Sequence, residues 1–391
     1  MSVLVVVQQT CAGADSLILV ALPFFLLAGE IMNESGITHR LTRFALSLIG
    51  PVCGGLSHVV VLANVMVSMV SGAAVANAAA VAPMMIPIMA RKGYPKDFAA
   101  AVNASAAIVG AVIPPSVGFI IYASVSGVSV GKLFLAGTMP GILLAAGMMF
   151  VCAAAAKIEG HPKGEPYSLK EFRDSFFSAI PGLFMPVIVL GGIFSGIVTS
   201  TEAGALAVVY GLIVGLFIYR SLTFRDLPRI FLTAAKRATS ILFIIACASC
   251  FGFLLSREAD AAAFVKFFQF FADYPNLMML LFIGVVLILG MFMEGGSIMI
   301  ILTPFVLPLV VSFNIDPVHF GVVFQITIMF GLLTPPLGML LFVISGSSGV
   351  PVKSICWRLL PFYFIIFLIL LLVAFIPDIS LWLVRQQGGN L

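Results

Sequence analysis

The sequence predicts an all-α polytopic membrane protein made of two inverted repeats, each with a re-entrant helical hairpin and a helix broken at a Pro-Pro pair. Apolar residues make up 61% of the 391 residues and charged residues 9%, against about 45–50% and about 25% in typical globular chains. The mean hydropathy is +1.19. Two Pro-Pro pairs, Pro114-Pro115 and Pro335-Pro336, interrupt long apolar stretches in the two halves of the chain.

Each Pro-Pro pair lies at the centre of an apolar stretch, IVGAVIPPSVGFIIY (108–122) or FGLLTPPLGMLLF (330–342). Proline lacks a backbone N–H, and its ring clashes with the preceding turn. In hydrocarbon an unpaired backbone group is costly, so a double break at membrane depth is expected only where protein encloses the loosened carbonyls. Paired breaks in corresponding halves indicate the binding site of a membrane transporter.

A single offset supports the internal repeat. The shift of 221 positions that aligns Pro114 with Pro335 also superposes three other pairs: Pro83 on Pro304, Pro87 on Pro308, and Gly110 on Gly331. The chain has 22 prolines, so these coincidences favour two copies of one unit over prolines scattered through membrane helices.

The elements of the first half follow from the apolar runs. Each hairpin arm is marginal for a full crossing, which needs about 20 residues, so we predict that the hairpin re-enters. The predicted order is an apolar start and the loop CAGADS within 1–15, a spanning helix over 16–33, an interfacial amphipathic arm over 38–50, a hairpin over 56–90 with its tip at Ser71–Asn77, and a broken helix over 95–128.

The second half repeats this order after a set of linking helices. The predicted elements are a span over 133–157, a polar loop over 157–176, helices over 178–199 and 203–219, a basic loop over 220–237, a helix over 238–256, a second arm over 259–272, a hairpin over 277–312 with its tip at Glu294–Ser297, a broken helix over 316–347, and a last helix over about 355–376. The domains expected are core repeats at 56–132 and 277–347, with scaffold at 1–55, 133–276 and 348–391.

The positive charges set the orientation. With both hairpins re-entrant and 157–176 in the cytoplasm, four of the 20 Lys and Arg residues fall outside: Lys132, Arg257, Lys266 and Arg385. The other 16 are cytoplasmic. The first copy then enters the membrane from outside at 16–33 and the second from the cytoplasm at 238–256, which makes the repeats inverted.

The hairpin tips and helix breaks expose helix ends, where bare carbonyls attract cations and bare N–H groups attract anions. Carbonyls and hydroxyls together suit Na⁺, and N–H groups suit a substrate carboxylate. The candidate ion and substrate residues are, in the first repeat, Ser71, Gly72, Asn77, Asn103, Gly110, Ile113, Pro114, Pro115 and Ser116, and, in the second, Glu294, Gly295, Gly296, Ser297, Thr303, Gly331, Thr334, Pro335, Pro336 and Gly338.

Each candidate has a local alternative. The hydroxyls can bond back to carbonyls of their own helix, and Asn103 can be a helix-packing contact. Glu294 is a costly intramembrane carboxylate, which is usually functional, but it can also cap N–H groups at the tip.

Enzyme and cofactor motifs are weak. Gly127-Val-Ser-Val-Gly131 lacks the strand–turn–helix setting of a nucleophile elbow, and Cys247-x-x-Cys250 lacks a second pair. We therefore expect no enzyme activity and no cofactor other than Na⁺ as coupling ion. The net charge of +4 gives no indication of a nucleic-acid partner.

Six stretches resemble the large membrane subunit (DctM-like, M subunit) of tripartite ATP-independent periplasmic (TRAP) transporters. They cover nearly the whole chain in order: PFFLLAGEIMNESGIT, SGAAVANAAAVAPMMIPIM, RKGYPKDFAAAVNASAAIVGAVIPPS, LFLAGTMPG, EGGSIMIILTP and HFGVVFQITIMFGLLTPPLGMLLFV. The resemblance implies a Na⁺ symporter of the bacterial inner membrane with an elevator mechanism. It implies three partners in transport: a small four-helix membrane subunit, a periplasmic solute-binding protein, and an organic acid such as a C4-dicarboxylate, keto acid or sialic acid.

The chain departs from this family at the first hairpin tip. The family's tip usually has the sequence SGSAVAD, whereas Ala73 here replaces the second Ser and Asn77 replaces the Asp. One side-chain ligand and one negative charge are therefore missing. The family usually has one more N-terminal helix, so the resemblance leaves open whether Met1 is the natural start.

Three other functions stay open at this stage. A stand-alone Na⁺/dicarboxylate symporter of the same architecture would need no binding protein. An ion channel would need a continuous pore. A membrane enzyme is the weakest alternative, because the sequence lacks a catalytic constellation.

Overall fold

The structure is a computed structural model that describes residues 3–15, 17–49, 53–162, 168–258 and 275–387. In these ranges the chain is almost entirely helical, which confirms the predicted fold class at the level of an all-α membrane protein. The helices of the first half are α1 (Val3–Ala14), α2 (Leu17–Glu34), α3 (Ile37–Leu48), α4 (Gly55–Ser71), α5 (Ala74–Arg91), α6 (Lys96–Gly110), α7 (Val117–Ser126) and α8 (Val130–Glu159).

The second half continues with ten elements, one of them a π-helical turn that extends α10. They are α9 (Leu169–Phe194), α10 (Ser200–Ile213) with its turn Val214–Ile218, α11 (Leu227–Glu258), α12 (Pro275–Gly290), α13 (Gly295–Ser312), α14 (Pro317–Leu332), α15 (Met339–Ser348), α16 (Val352–Phe375) and α17 (Asp378–Gln386).

The structure has breaks between apolar helices in the ranges predicted for the two hairpins and the two broken helices. That the hairpins re-enter the membrane stays a prediction. Helices α4 and α5 are separated by Gly72 and Ala73, and α12 and α13 by residues 291–294. The break between α6 and α7 spans 111–116, and the break between α14 and α15 spans 333–338. The bonds Pro114-Pro115 and Pro335-Pro336 are both cis.

The predicted boundaries are wrong in three places. The loop CAGADS is largely helical, because α1 extends to Ala14. Helix α9 starts within the predicted polar loop, since Ser168 caps it and Arg43 of α3 pairs with Glu171 at 2.8 Å. Helix α11 starts at Leu227 within the predicted basic loop. The arm predicted over 259–272 lies outside the described residues.

The membrane-spanning capacity agrees with a multi-pass protein. Within the described ranges, seven helices are long and apolar enough to cross a bilayer, and the bent pair 5–13 with 18–34 would make an eighth. Helices α4, α7, α12, α14 and α15 are apolar but shorter. These short helices are the first arm of each hairpin and three of the four broken-helix segments, whereas the second arms, α5 and α13, are among the seven long helices.

The helices can be divided into two sets, which also contact each other through α3 with α4, α2 with α4 and α7, and α11 with α13. In one set α2 packs against α10 and α11, α1 against α11, and α3 and α10 against α9. In the other set, α4 and α5 pack against α6, α12 against α14, and α8 and α16 against α6 and α14. Helix α17 packs against α8.

Within the second set, the packing is reciprocal. The second hairpin arm of the first half, α5, packs against α15, which follows the second break. The corresponding arm of the second half, α13, packs against α7, which follows the first break. Each hairpin is thus held by the broken helix of the other half.

Candidate functional site

The first hairpin tip is joined to the first helix break by the main chain. The backbone N–H of Val117, the first residue of α7, donates to the carbonyl of Gly72 at 3.1 Å. Gly72 has φ +62°, a left-handed conformation that favours glycine. A Cβ at Gly72 would also lie 2.6 Å from the carbonyl oxygen of Pro115, so the tip and the break approach each other too closely for a side chain there.

The second tip is joined to the second break in the same way. The N–H of Gly338 donates to the carbonyl of Met291 at 3.3 Å. Gly338 follows Val117 by 221 positions, which is the offset of the two Pro-Pro pairs. The acceptors differ in position, since Met291 lies two residues before position 293, the counterpart of Gly72 at this offset. The structure therefore has two similar tip–break junctions, which we call junction 1 (71–77 with 110–117) and junction 2 (291–297 with 331–338).

A buried polar cluster lies at junction 1. The Ser71 hydroxyl donates to the side-chain oxygen of Asn77, and both residues are buried. The Asn77 amide nitrogen is buried and has no hydrogen-bond partner among the residues that the structure describes. A Cβ on Gly110 would lie 2.5 Å from that nitrogen and 2.2 Å from the Cβ of Ser68. Asn77, Ser68 and the end of α6 thus meet at one point.

At the first helix break (111–116), which we call break 1, two side chains donate hydrogen bonds to the same carbonyl oxygen. Ser116 Oγ donates to the Ala111 carbonyl at 2.6 Å, and Gln325 Nε2 of α14 donates to the same oxygen at 3.0 Å. Gly118 leaves room for Gln325, because a Cβ there would lie 2.2 Å from Gln325 Oε1. Residues Gly110, Ile113, Pro114, Pro115 and Ser116 are all buried.

Junction 2 is more exposed. Glu294, Pro335 and Pro336 are exposed, while Gly295, Gly331 and Gly338 are buried. Glu294 Oε2 accepts from the Ser297 backbone at 3.0 Å and from the Ser297 hydroxyl at 3.4 Å. Glu294 therefore caps α13, as its local alternative predicts. Ser297 and Gly296 follow it in the first turn of α13, both partly exposed.

The other polar candidates bond locally. Thr334 donates to Phe330 at 2.8 Å and Thr303 to Met299 at 2.5 Å, each within its own helix or its end. Asn103 donates to Ala99 at 2.9 Å, while its buried side-chain oxygen has no partner. Asn103 lies seven residues before Gly110, roughly 10 Å along a helix. The structure does not bring Asn103 or Thr303 to the junctions.

Three of the four helices that start at the junctions have no side-chain cap. Helices α5, α7 and α15 are preceded by Ala73, Ser116 and Gly338, and within the described part of the chain none of these three residues makes a side-chain cap bond. Helix α13 is capped by Glu294. Uncapped N–H groups at helix starts attract carboxylates, and the preceding helix ends offer carbonyls to cations.

Sequence reasoning missed Gln325 and Tyr363, which both bond to break carbonyls. Tyr363 of α16 donates to the Leu333 carbonyl at 2.7 Å, and Gln325 donates to that of Ala111. Gln325 is a polar residue in a long apolar helix, which is a detectable signal. The internal repeat does not point to Gln325, because the position 221 residues earlier is Ala104.

We expect Gln325→Leu to lower uptake about fivefold without reducing the amount of protein in the membrane. The change removes one of two donors to the Ala111 carbonyl, and such a bond contributes about 1 kcal/mol. Break 1 would then be held less firmly, so the ion concentration for half-maximal uptake should rise. Thr327→Val is the matched control, because Thr327 bonds only to Val323 of its own helix at 2.7 Å. An ion dependence unchanged in Gln325→Leu would contradict this role.

Comparison with known proteins agrees with this architecture. Residues 1–379 match the model of the family described as the tripartite ATP-independent periplasmic transporter, DctM component. The chain is 39% identical over 375 residues to the 2,3-diketo-L-gulonate TRAP transporter large permease protein YiaN of Escherichia coli, covering 96% of this chain and 88% of that protein. It is 38% identical over 370 residues to the C4-dicarboxylate TRAP transporter large permease protein DctM of Pseudomonas aeruginosa, covering 95% and 87%.

A solved structure shares the fold at low identity. The YdaH transporter of Alcanivorax borkumensis superposes with a TM-score of 0.64 at 12% identity, over 95% of this chain and 86% of that one. This likeness shows the fold alone. The family match over nearly the whole chain and the two relatives confirm the resemblance found in the sequence: the chain belongs to the DctM component family of TRAP transporters, the large permease subunits.

Proposed function

We propose that this chain is the large membrane subunit of a Na⁺-coupled TRAP transporter that imports an organic acid across the bacterial inner membrane. The observation that carries the proposal is the pair of similar junctions, each with a Pro-Pro break bonded to a hairpin tip. The acid would be delivered by a periplasmic solute-binding protein, and a small four-helix membrane subunit would complete the transporter. Membership in a transporter family supports the expectation of no enzyme activity.

The ion sites are proposed at the two junctions. At junction 1 the Ser71 hydroxyl and the Asn77 side-chain oxygen are hydrogen-bonded to each other, and the Asn77 amide group also lies beside Gly110 at the end of α6. Neutral oxygens of this kind suit a hard monovalent cation. The uncapped starts of α5, α7 and α15 would receive the substrate carboxylates.

The reciprocal packing supports two inverted repeats. Contacts of α5 with α15 and of α13 with α7 are equivalent under the offset of 221 positions. A pseudo-two-fold axis in the membrane plane relates such pairs in transporters with inverted repeats. We propose that this axis passes between the two junctions.

The two packed helix sets suggest the moving parts of an elevator. We propose that α4–α7 and α12–α15 move together, and that α8, α16 and α17 move with them although the sequence assigned those helices to the scaffold. A Cβ on Gly137 of α8 would lie 2.9 Å from the Val112 carbonyl of break 1. Ser380 of α17 bonds to buried His319 of α14 at 2.8 Å. Arg358 of α16 pairs with Asp97 of α6 at 3.1 Å.

The scaffold would then be α1–α3 with α9–α11. Its helices are linked by ion pairs between residues far apart in the sequence. Arg229 and Arg237 of α11 pair with Glu34 and Glu30 of α2 at 2.9 and 3.1 Å, respectively. The ion pairs and interhelical hydrogen bonds named here all lie within one set or the other. One set could therefore slide past the other without breaking these ion pairs.

Uptake into proteoliposomes tests the proposal. The complete transporter, with its small subunit and binding protein, is offered radiolabelled C4-dicarboxylate, keto acid or sialic acid. We expect uptake of one of these acids to fall at least about tenfold when external Na⁺ is replaced by choline, because unfilled ion sites leave the junctions unable to hold the acid. Uptake that persists in choline would contradict Na⁺ coupling, and uptake without the binding protein would favour a stand-alone symporter.

A further inference from the structure

A large cavity lies beside junction 1, between the two helix sets. Its volume is about 660 Å³, and it is bounded by α2, the start of α3, α5 and α11. It adjoins junction 1 at Ala76, which lines the cavity and lies within the hairpin-tip range 71–77.

The two walls of the cavity differ in chemistry. The α5 wall carries side chains without charge: Ala76, Ala79, Ala80, Pro83 and Met84. The opposite wall carries charged and polar side chains: Glu30, Asn33, Glu34, Thr38, His39 and Arg237. An ion that enters this cavity would meet charged groups on one side only, and the uncharged side chains of α5, which we call the smooth wall, would not bind it.

The charged side chains of the polar wall differ in how many hydrogen bonds they make to oppositely charged partners. Glu34 is held by two hydrogen bonds from Arg229, at 3.1 and 2.9 Å, and Arg229 does not line the cavity. Arg237 makes one hydrogen bond, from Nη1 to Glu30 at 3.1 Å. A guanidinium has five N–H donors, and the Arg237 side chain is 54% exposed whereas that of Glu30 is 15% exposed. Arg237 can therefore receive a carboxylate while it keeps Glu30.

We propose that this cavity is the passage by which the transported acid leaves junction 1, and that Arg237 is a binding station for its carboxylate along the way. This inference rests on the proposed function, which supplies the identity of the transported acid and the orientation of the chain in the membrane. Helix α5 runs from the tip to Arg91, one of the cytoplasmic residues in the charge assignment, so the passage opens to the cytoplasm. Glu30 competes with the acid for the guanidinium, which keeps the station weak enough to release its cargo.

The test measures access and charge preference with thiol reagents. The six cysteines are replaced by serine, and Ala79→Cys places a single thiol on the exposed smooth wall of the cavity. Oriented vesicles are treated from each side with an anionic and a cationic methanethiosulfonate of similar size. We expect labelling from the cytoplasmic side. We compare the rate of labelling by the anionic reagent with that by the cationic reagent. This ratio should fall about three- to tenfold in Arg237→Gln, since one nearby positive charge is lost, and should rise in Glu30→Gln.

Lys236→Gln is the matched control, because it removes one positive charge from the same helix at an exposed position that does not line the cavity. An unchanged ratio in that variant alongside a fall in Arg237→Gln supports the station. Labelling only from outside, or an equal change in both variants, would overturn the proposal. The reagents need neither Na⁺ nor uptake, so a transporter that fails the choline experiment can still pass this one, and the two failures are distinguishable.

Discussion

Gly110→Ala is expected to lower Na⁺-driven uptake about a hundredfold. A Cβ at this position would lie 2.2 Å from the Cβ of Ser68 and 2.5 Å from Asn77 Nδ2, and real side chains do not approach so closely. The Ser68 atom is fixed to the backbone, and its hydroxyl is held by Val65 at 2.8 Å, so the end of α6 has to move instead. A displacement of about 1 Å at a preorganised site can cost about a hundredfold in rate.

The control for this change is Gly284→Ala. Gly284 lies in α12, the first arm of the other hairpin, and a Cβ there meets nothing within 4 Å. Both variants should reach the membrane in normal amounts, and Gly284→Ala should transport normally. Adding Ser68→Gly to Gly110→Ala removes the Cβ overlap and should restore part of the uptake. If Gly110→Ala transports normally, the close approach at junction 1 has no part in ion binding.

The positions of the breaks could be predicted from sequence because proline acts locally. A missing N–H and a steric clash interrupt any helix, whatever surrounds it, so Pro114-Pro115 and Pro335-Pro336 located both breaks within a few residues. The tip at Gly72 followed from small residues between two apolar arms. These signals do not depend on the rest of the fold.

The partners of each helix could not be predicted in the same way. Helices α8 and α16 are apolar on most of their surface, so their composition does not indicate which neighbours they pack against. The pair Arg237–Glu30 joins residues 207 positions apart, and the sequence placed Arg237 in a loop. Ion pairs between distant residues, and buried hydrogen bonds such as that from Gln325 to Ala111, depend on tertiary packing, which the internal repeat does not specify.

Asn77→Leu is expected to raise the Na⁺ concentration for half-maximal uptake by about ten- to a hundredfold, the range seen when a metal site loses a supporting group. In the structure the Asn77 oxygen accepts from Ser71, and its amide nitrogen points towards Gly110 without a partner. A half-turn of the amide lets the nitrogen donate to the Ser71 hydroxyl and presents the oxygen to the end of α6. Asn77 can thus supply a neutral oxygen ligand to the proposed ion.

Asn77→Asp should act in the opposite direction. It keeps the oxygen and adds a negative charge beside the proposed ion, so we expect half-maximal uptake at about three- to tenfold lower Na⁺, with the Coulomb gain partly offset by desolvation of the carboxylate. Asn64→Leu is the control, because Asn64 is also a buried amide of the first hairpin with an unpartnered oxygen, but lies two turns before the tip. If Asn77→Leu and Asn64→Leu leave the Na⁺ dependence equally unchanged, Asn77 is a packing residue and the first ion is held by backbone carbonyls alone.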